Sequence, residues 1–246
     1  VNSPLDEPWR LPGLNISVVA APLSTDWLLS RVSPPSAEIA NHVEAGGLHL
    51  DDLQNTDRGL FKKAAEAIAW VPSLAVIVAT RVATVHLLRA DPSYDVSHSE
   101  PEWRDRIFVS VPDRHDEVGA LRLAEGIIHE ALHLHLNELE AITPLVRDGM
   151  GTLTSPWRAE PRSFGGVLHG VFVFVGLKAY FDVVKASPKS PAGRHLDQRR
   201  AGIVEELSRV ELAELAAGLT EPGATLLSRL LAGGLEMVAK TQRQHM

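Results

Sequence analysis

The chain contains the sequence His129-Glu130-Ala131-Leu132-His133, an HExxH motif. Residues four apart on a helix share one face, with Cβ atoms about 5–6 Å apart. Both imidazoles can therefore reach one metal ion. Glu130 follows the first histidine and can lean toward the metal's open side, either to handle the protons of a bound water or to orient a ligand from behind. A His, a Glu and a His on a buried face are costly unless they are bonded. A metal satisfies them more fully than the alternative, a pair of core histidines held by hydrogen bonds. His135 lies six residues beyond His129. That spacing turns it to another side of the helix, as a non-ligand.

A metal on two histidines needs a third donor. The continuation HxxGxxH is absent, because His133 is followed by Leu134-His135-Leu136-Asn137-Glu138-Leu139-Glu140. Glu138 and Glu140 are too close on the same helix to fold back onto the ion. Glu160 falls in a loop, and Glu205 on a polar helix. His169 stands alone among histidines in an apolar segment, 36 residues after His133 (169 − 133), and is the candidate third ligand. Gly165, Gly166 and Gly170 around it allow close approach of a backbone or a ligand. Three histidines with open positions suit zinc and iron(II) alike. Just upstream lies Ser155-Pro156-Trp157-Arg158-Ala159-Glu160-Pro161-Arg162. Two arginines near a metal suit an anionic ligand, since guanidinium pairs bidentately with carboxylates. Pairing with Glu160 or Asp148 at the surface is the other reading.

These groups need a scaffold. Residues 116–142 form the strongest helix, with Val118, Leu121, Ile127, Ile128, Leu132, Leu136 and Leu139 among apolar positions around most of its circumference. Such width marks a buried central helix. Residues 165–184 form a second apolar helix, and 106–112 a strand with a proline stop. Leu60, Phe61, Ala64, Ala67 and Ile68 make 57–70 a helix, ended by Pro72. Residues 73–89 are rich in Val, Ile and Thr, which favours strand, while their length and alanines leave helix open. Ser36, after Pro34-Pro35, suits a helix cap, and Asp91-Pro92-Ser93 a turn. Residues 1–35 read as irregular with an apolar piece at 16–21, 187–191 as a linker, and 205–217 and 225–240 as amphipathic helices. The fold expected is mostly helical α+β, a central HExxH helix packed against a second apolar helix and a small sheet. It is expected as a single domain over 1–246, with C-terminal helices in 187–246.

With 45% hydrophobic and 22% charged residues in 246, a sizeable core is attainable. The net charge of −7 argues against a nucleic-acid partner, which needs clustered Lys and Arg. The one basic run, 194–200, reads as a solvated loop. There is no cysteine, which excludes iron–sulfur clusters, disulfides and thiolate-bound zinc. The N-terminus carries no signal-peptide pattern, and a cytoplasmic location is expected. The most apolar stretch, 164–181, contains His169, Lys178 and several glycines, so a core helix is expected there and no membrane partner.

HExxH together with a downstream Pro156-Trp157-Arg158, Pro161-Arg162 and Gly166-Val167-Leu168-His169-Gly170-Val171-Phe172-Val173-Phe174 resembles a known family. It is similar to the HExxH-motif domain of α-ketoglutarate-dependent peptide β-hydroxylases, which modify ribosomally synthesised peptides. The likeness runs over 124–181. It extends to Tyr94-Asp95-Val96-Ser97-His98-Ser99 and the 107–111 strand, and is slight in the first 90 and last 60 residues. The family's Pro-Arg-Pro stands here as Pro161-Arg162-Ser163.

The resemblance implies iron(II), α-ketoglutarate (2-oxoglutarate) and O₂ as cofactors, and a precursor peptide as substrate. It places His129, His133 and His169 at the metal and puts the distal carboxylate of 2-oxoglutarate on Arg158 or Arg162. Glu130 then orients a ligand or water and need not be a base. His98 is a candidate for the border of the peptide channel. The rival reading, from HExxH by itself, is a zinc metallopeptidase with Glu130 activating water. A peptide-binding protein with a vestigial site is the third, and the intact His-Glu-His argues against it.

Overall fold

The computed structural model describes residues 23–51, 57–89, 95–184 and 191–243, with side chains described as far as 232. The apolar piece expected at 16–21, the Asp91-Pro92-Ser93 turn and linker residues 187–190 lie outside these. The chain is a mostly helical α+β fold with a small mixed sheet, and several helices pack against one apolar helix. It divides into two compact units. One falls within Val18–Asn137 and Val183–Asp197, the other within Glu138–Asp182 and Gln198–Met246.

The first unit opens with helices α1 (Thr25–Arg31), α2 (Ala37–Ala45), α3 (Arg58–Ala69) and α4 (Pro72–Arg81). Three of them start at side chains that accept from the first-turn amides. Ser24 accepts from the Trp27 amide, Ser36 from Ile39 and Asp57 from Gly59. Helix α1 lies inside the segment expected to be irregular. Its Ser24 cap and its fully buried Leu28 explain why it forms.

The ambiguous 73–89 segment is both things in turn. Leu74, Ile77 and Val78 are buried at helical spacing in α4, and strand β1 (Thr84–Arg89) follows. Pro72 does not only end α3: it occupies the first turn of α4, where its missing N–H costs nothing.

Strand β1 pairs in parallel with β3 (Arg106–Val111), and β2 (Ser97–His98) pairs antiparallel with the other edge of β3. The sheet order is β1-β3-β2. Four consecutive buried residues in both β1 and β3 fit a strand pair covered on both faces. Helix α5 (Glu117–Ile142) lies against this sheet at Gly126. A Cβ there would sit 3.7 Å from both Ser97 Cβ and a Val109 methyl.

The second unit holds a two-residue hairpin, β4 (Thr152–Leu153) with β5 (Arg162–Ser163), and the apolar helix α6 (Phe164–Val183). Among the described helices α6 is the one long and apolar enough to cross a membrane, and 78% of its apolar window is buried within the protein. Its Lys178 donates to Asp182 at 2.8 Å, and Asp182 also accepts from Arg200 at 2.8 Å, so the buried ammonium is paired. Helices α7 (Pro191–Ser208), α8 (Leu212–Ala217) and α9 (Glu221–Arg243) complete the order.

The basic run at 194–200, expected as a loop, is part of α7. Leu196 and Ile203, seven residues apart, are buried on one face of that helix. The helix expected over 205–217 is interrupted between Ser208 and Leu212, where the turn buries Val210.

His86, on β1, is fully buried. Its Nδ1 donates to the Ser33 carbonyl at 2.8 Å, while Nε2 is buried without a partner. Burial lowers its pKa below the ordinary 6.5. The unfolded chain therefore binds this proton more readily than the folded one. Stability from a neutral His86 is full above pH 6.5 and declines as the pH falls through and below it. Urea unfolding from pH 7.5 down to 5 should show stability falling by up to about 1.4 kcal/mol per pH unit from this group. In His86→Asn that part of the slope should vanish.

Candidate functional site

Helix α5 begins where Asp116 accepts from the Gly119 amide at 3.0 Å and from the Arg114 guanidinium. Those two donors, Arg114 foremost, hold the Asp116 carboxyl well below the usual carboxylate range. The Arg114 carbonyl lies where a Cβ on residue 119 would be, so the tight entry requires Gly119. From this start the helix runs straight through the HExxH residues.

Along α5 the structure brings His129 and His133 together. Their ring centroids are 5.0 Å apart with planes at 56°. His129 is 26% exposed at its side chain, and His133 is half-buried. Two imidazole nitrogens on one ion, each at about 2.1 Å, lie roughly 3.0–3.4 Å apart. The observed ring spacing fits two adjacent positions of zinc or iron(II).

Glu130 is only 3% exposed, and neither of its oxygens is left to water. The Ser97 hydroxyl donates to Oε1 and the Ser99 hydroxyl to Oε2, each at 2.6 Å. Such short charge-assisted bonds contribute about 1.5–3 kcal/mol each. Oε1 also lies 3.8 Å from His129 Nε2. Strand alternation explains the arrangement. Ser97 and Ser99 share one face of the β2 segment, toward α5, and His98 takes the other. His98 Nε2 lies 2.7 Å from Glu100 Oε1, with its ring 6.2 Å from that of Phe108. His98 is thus engaged with Glu100 on the far side of the strand from Glu130. His135 is 1% exposed and its Nδ1 accepts from Arg81 Nε at 3.1 Å. Burial, then Arg81, push its pKa down to about 4.

Ser97 and Ser99 went unrecognised as partners of Glu130 in the sequence. The signal available was the requirement that a buried carboxylate find donors. The donors themselves lie 33 and 31 residues away.

In the second unit, His169 is 14% exposed at its side chain, and its Nε2 lies 2.9 Å from Glu140 Oε2 on the last turns of α5. Glu140 is therefore a neighbour of His169, a pairing the sequence reading did not anticipate. Arg162 sits in β5 immediately before α6. Its Nε lies 3.1 Å from where a Gly166 Cβ would be, so the guanidinium rests on the first turn of that helix. Burial lowers the pKa of Arg162, and the nearby charge of exposed Arg158 lowers it further. No carboxylate pairs with either arginine among the described residues, Glu160 and Asp148 included. Arg162 thus carries its charge at the positive end of the α6 dipole.

Trp157 fastens this loop to α6. Its ring stacks on Phe174 at 4.9 Å and occupies the space a Cβ on Gly170 would need, 2.2 Å away.

Among the described residues, no three His, Cys, Asp or Glu side chains are grouped so as to hold a metal. His129 and His133 are the two candidate donors whose rings lie side by side. No protein-family model and no curated protein matches the chain.

Gly170→Ala should force Trp157 off Phe174 and lower unfolding free energy by about 1–3 kcal/mol. Gly165→Ala, with open space at its Cβ, should leave stability within about 0.5 kcal/mol or raise it. Denaturant titration of both variants checks the contrast.

Proposed function

We propose that the chain is an iron(II)- and 2-oxoglutarate-dependent hydroxylase acting on a side-chain β-carbon of a ribosomally made precursor peptide. The observation that carries this reading is the state of Glu130. A metallopeptidase uses the glutamate of HExxH as a base, which requires an oxygen turned toward the metal-bound water. Here both oxygens accept from serine hydroxyls. That favours a reaction in which Glu130 only positions its surroundings. The resemblance of residues 124–181 to peptide β-hydroxylases points the same way.

In this reading His129 and His133 hold iron(II), and His169 is the expected third donor. Arg158 and Arg162, which share no carboxylate, hold the distal carboxylate of 2-oxoglutarate. When bound, iron(II) and 2-oxoglutarate supply the oxidising chemistry: C–H, 2-oxoglutarate and O₂ become C–OH, succinate and CO₂. The protein's part is to bind and orient. Glu130, buried and doubly held, keeps its carboxylate fixed beside His129. Arg162, half-buried on the first turn of α6, offers a carboxylate two guanidinium donors and the helix amides.

The test is an anaerobically purified protein supplied with iron(II), 2-oxoglutarate, O₂ and the genomically adjacent precursor peptide. Succinate formation and a peptide heavier by one oxygen are expected. Arg162→Ala should raise the KM for 2-oxoglutarate at least about tenfold, as loss of a buried charge-assisted pair does. Zinc-dependent cleavage of the peptide with no 2-oxoglutarate consumed would instead establish the metallopeptidase.

A further inference from the structure

We infer that Ser97 and Ser99 are positioning residues that decide which chemistry the HExxH helix performs. They hold both oxygens of Glu130 and so keep its carboxylate from swinging into the metal's ligand set. The inference rests on the reading of His129 and His133 as metal ligands.

Three features carry it. Glu130 Oε1 is 3.8 Å from His129 Nε2, so the carboxylate lies beside an imidazole nitrogen of the metal pair. Small side-chain rotations separate that position from direct contact with an ion on the histidines. Second, the restraint is two-sided: one hydroxyl holds each oxygen at 2.6 Å, which fixes the carboxylate plane as well as its distance. One serine would leave the other oxygen free to swing. Third, the strand that delivers the hydroxyls is built to reach the helix. Segment 95–99 pairs on one side only, with β3, and Val96 anchors it twice: its carbonyl accepts from the Ser110 amide at 2.8 Å and its amide donates to Ser110 Oγ at 2.9 Å. Ser97 packs against α5 at Gly126, where a Cβ would lie 3.7 Å from that of Ser97. A Ser-x-Ser pattern on an extended segment places both hydroxyls on one face. His98 between them faces away and bonds Glu100.

A merely structural role would predict only lost stability when the serines are removed. A positioning role predicts that the metal's surroundings change, and that the change depends on Glu130. Cobalt(II) reports this directly, because its visible absorption follows the number and kind of its ligands. The proteins compared are wild type, Glu130→Gln, Ser97→Ala, Ser99→Ala, the double variant, the double variant with Glu130→Gln, and Ser97→Thr with Ser99→Thr. Thermal melts establish that each is folded, and the single variants stand in if the double variant is not.

Wild type and Glu130→Gln should give the same cobalt(II) spectrum. The serine-to-alanine variants should give an altered spectrum with binding tighter by about tenfold, the range over which outer partners tune metal sites. Adding Glu130→Gln should restore the wild-type spectrum, and the threonine variant should retain it. Identical spectra in wild type and the serine-to-alanine variants would overturn the inference and leave the metal reading standing. Uptake by the double variant alone would remove the metal from the native chain and overturn the inference with it. Uptake by neither would overturn both.

Discussion

A carboxylate withdrawn from water is tolerated only when its oxygens are supplied with donors. At 3% exposure, Glu130 imposes that requirement on everything around it. Its donors sit on a short strand that must lie against the middle of α5, so the sheet has to present its β2 edge to that helix. Order β1-β3-β2 does so, with the long parallel pair β1 and β3 forming the body and β2 the edge. The same contact sets the orientation of one turn of α5, and hence the direction in which His129 and His133 emerge. Fold and chemistry meet in these two hydroxyl–carboxylate bonds.

The second unit solves a different problem, that of holding cations without carboxylates. Arg162 is laid across the first turn of α6, where Gly166 makes room, and Trp157 pins the preceding loop through the gap at Gly170. Electrostatics disfavour this arrangement: the helix dipole, Arg158 and burial all oppose the charge on Arg162. An anion bound there, as proposed for 2-oxoglutarate, would relieve that repulsion. Elsewhere in the same unit the opposite choice is made. Lys178 and Arg200 share Asp182, and no charge is left over for a ligand from the buried lysine.

Where local pattern and tertiary contact agreed, the elements were legible from sequence. Helix α5 was bounded to within a residue because apolar positions cover its circumference and Thr143-Pro144 closes it. The same holds for β3 and α6. Composition misled where propensity and burial diverge. The Val- and Ile-rich 73–81 stretch is helical because Leu74, Ile77 and Val78 meet the core at helical spacing, and strand begins only at Thr84. The 194–200 run looked like a solvated loop because its charges mask Leu196, whose burial commits it to α7. At the site, the His129–His133 pair follows from four-residue spacing within one helix. Ser97, Ser99 and Glu140 do not, because their partners are fixed by how separate elements pack.

The proposed chemistry requires a metal held by the HExxH histidines, with Glu130 as bystander. Calorimetric titration of iron(II) under anaerobic conditions tests this most directly, with wild type, His129→Ala, His133→Ala and Glu130→Gln side by side. The account predicts one iron(II) per chain in wild type, loss of binding in either histidine variant, and an affinity in Glu130→Gln within about threefold of wild type, a difference of roughly 0.6 kcal/mol. Retained binding in the histidine variants, or its loss in Glu130→Gln, would contradict it.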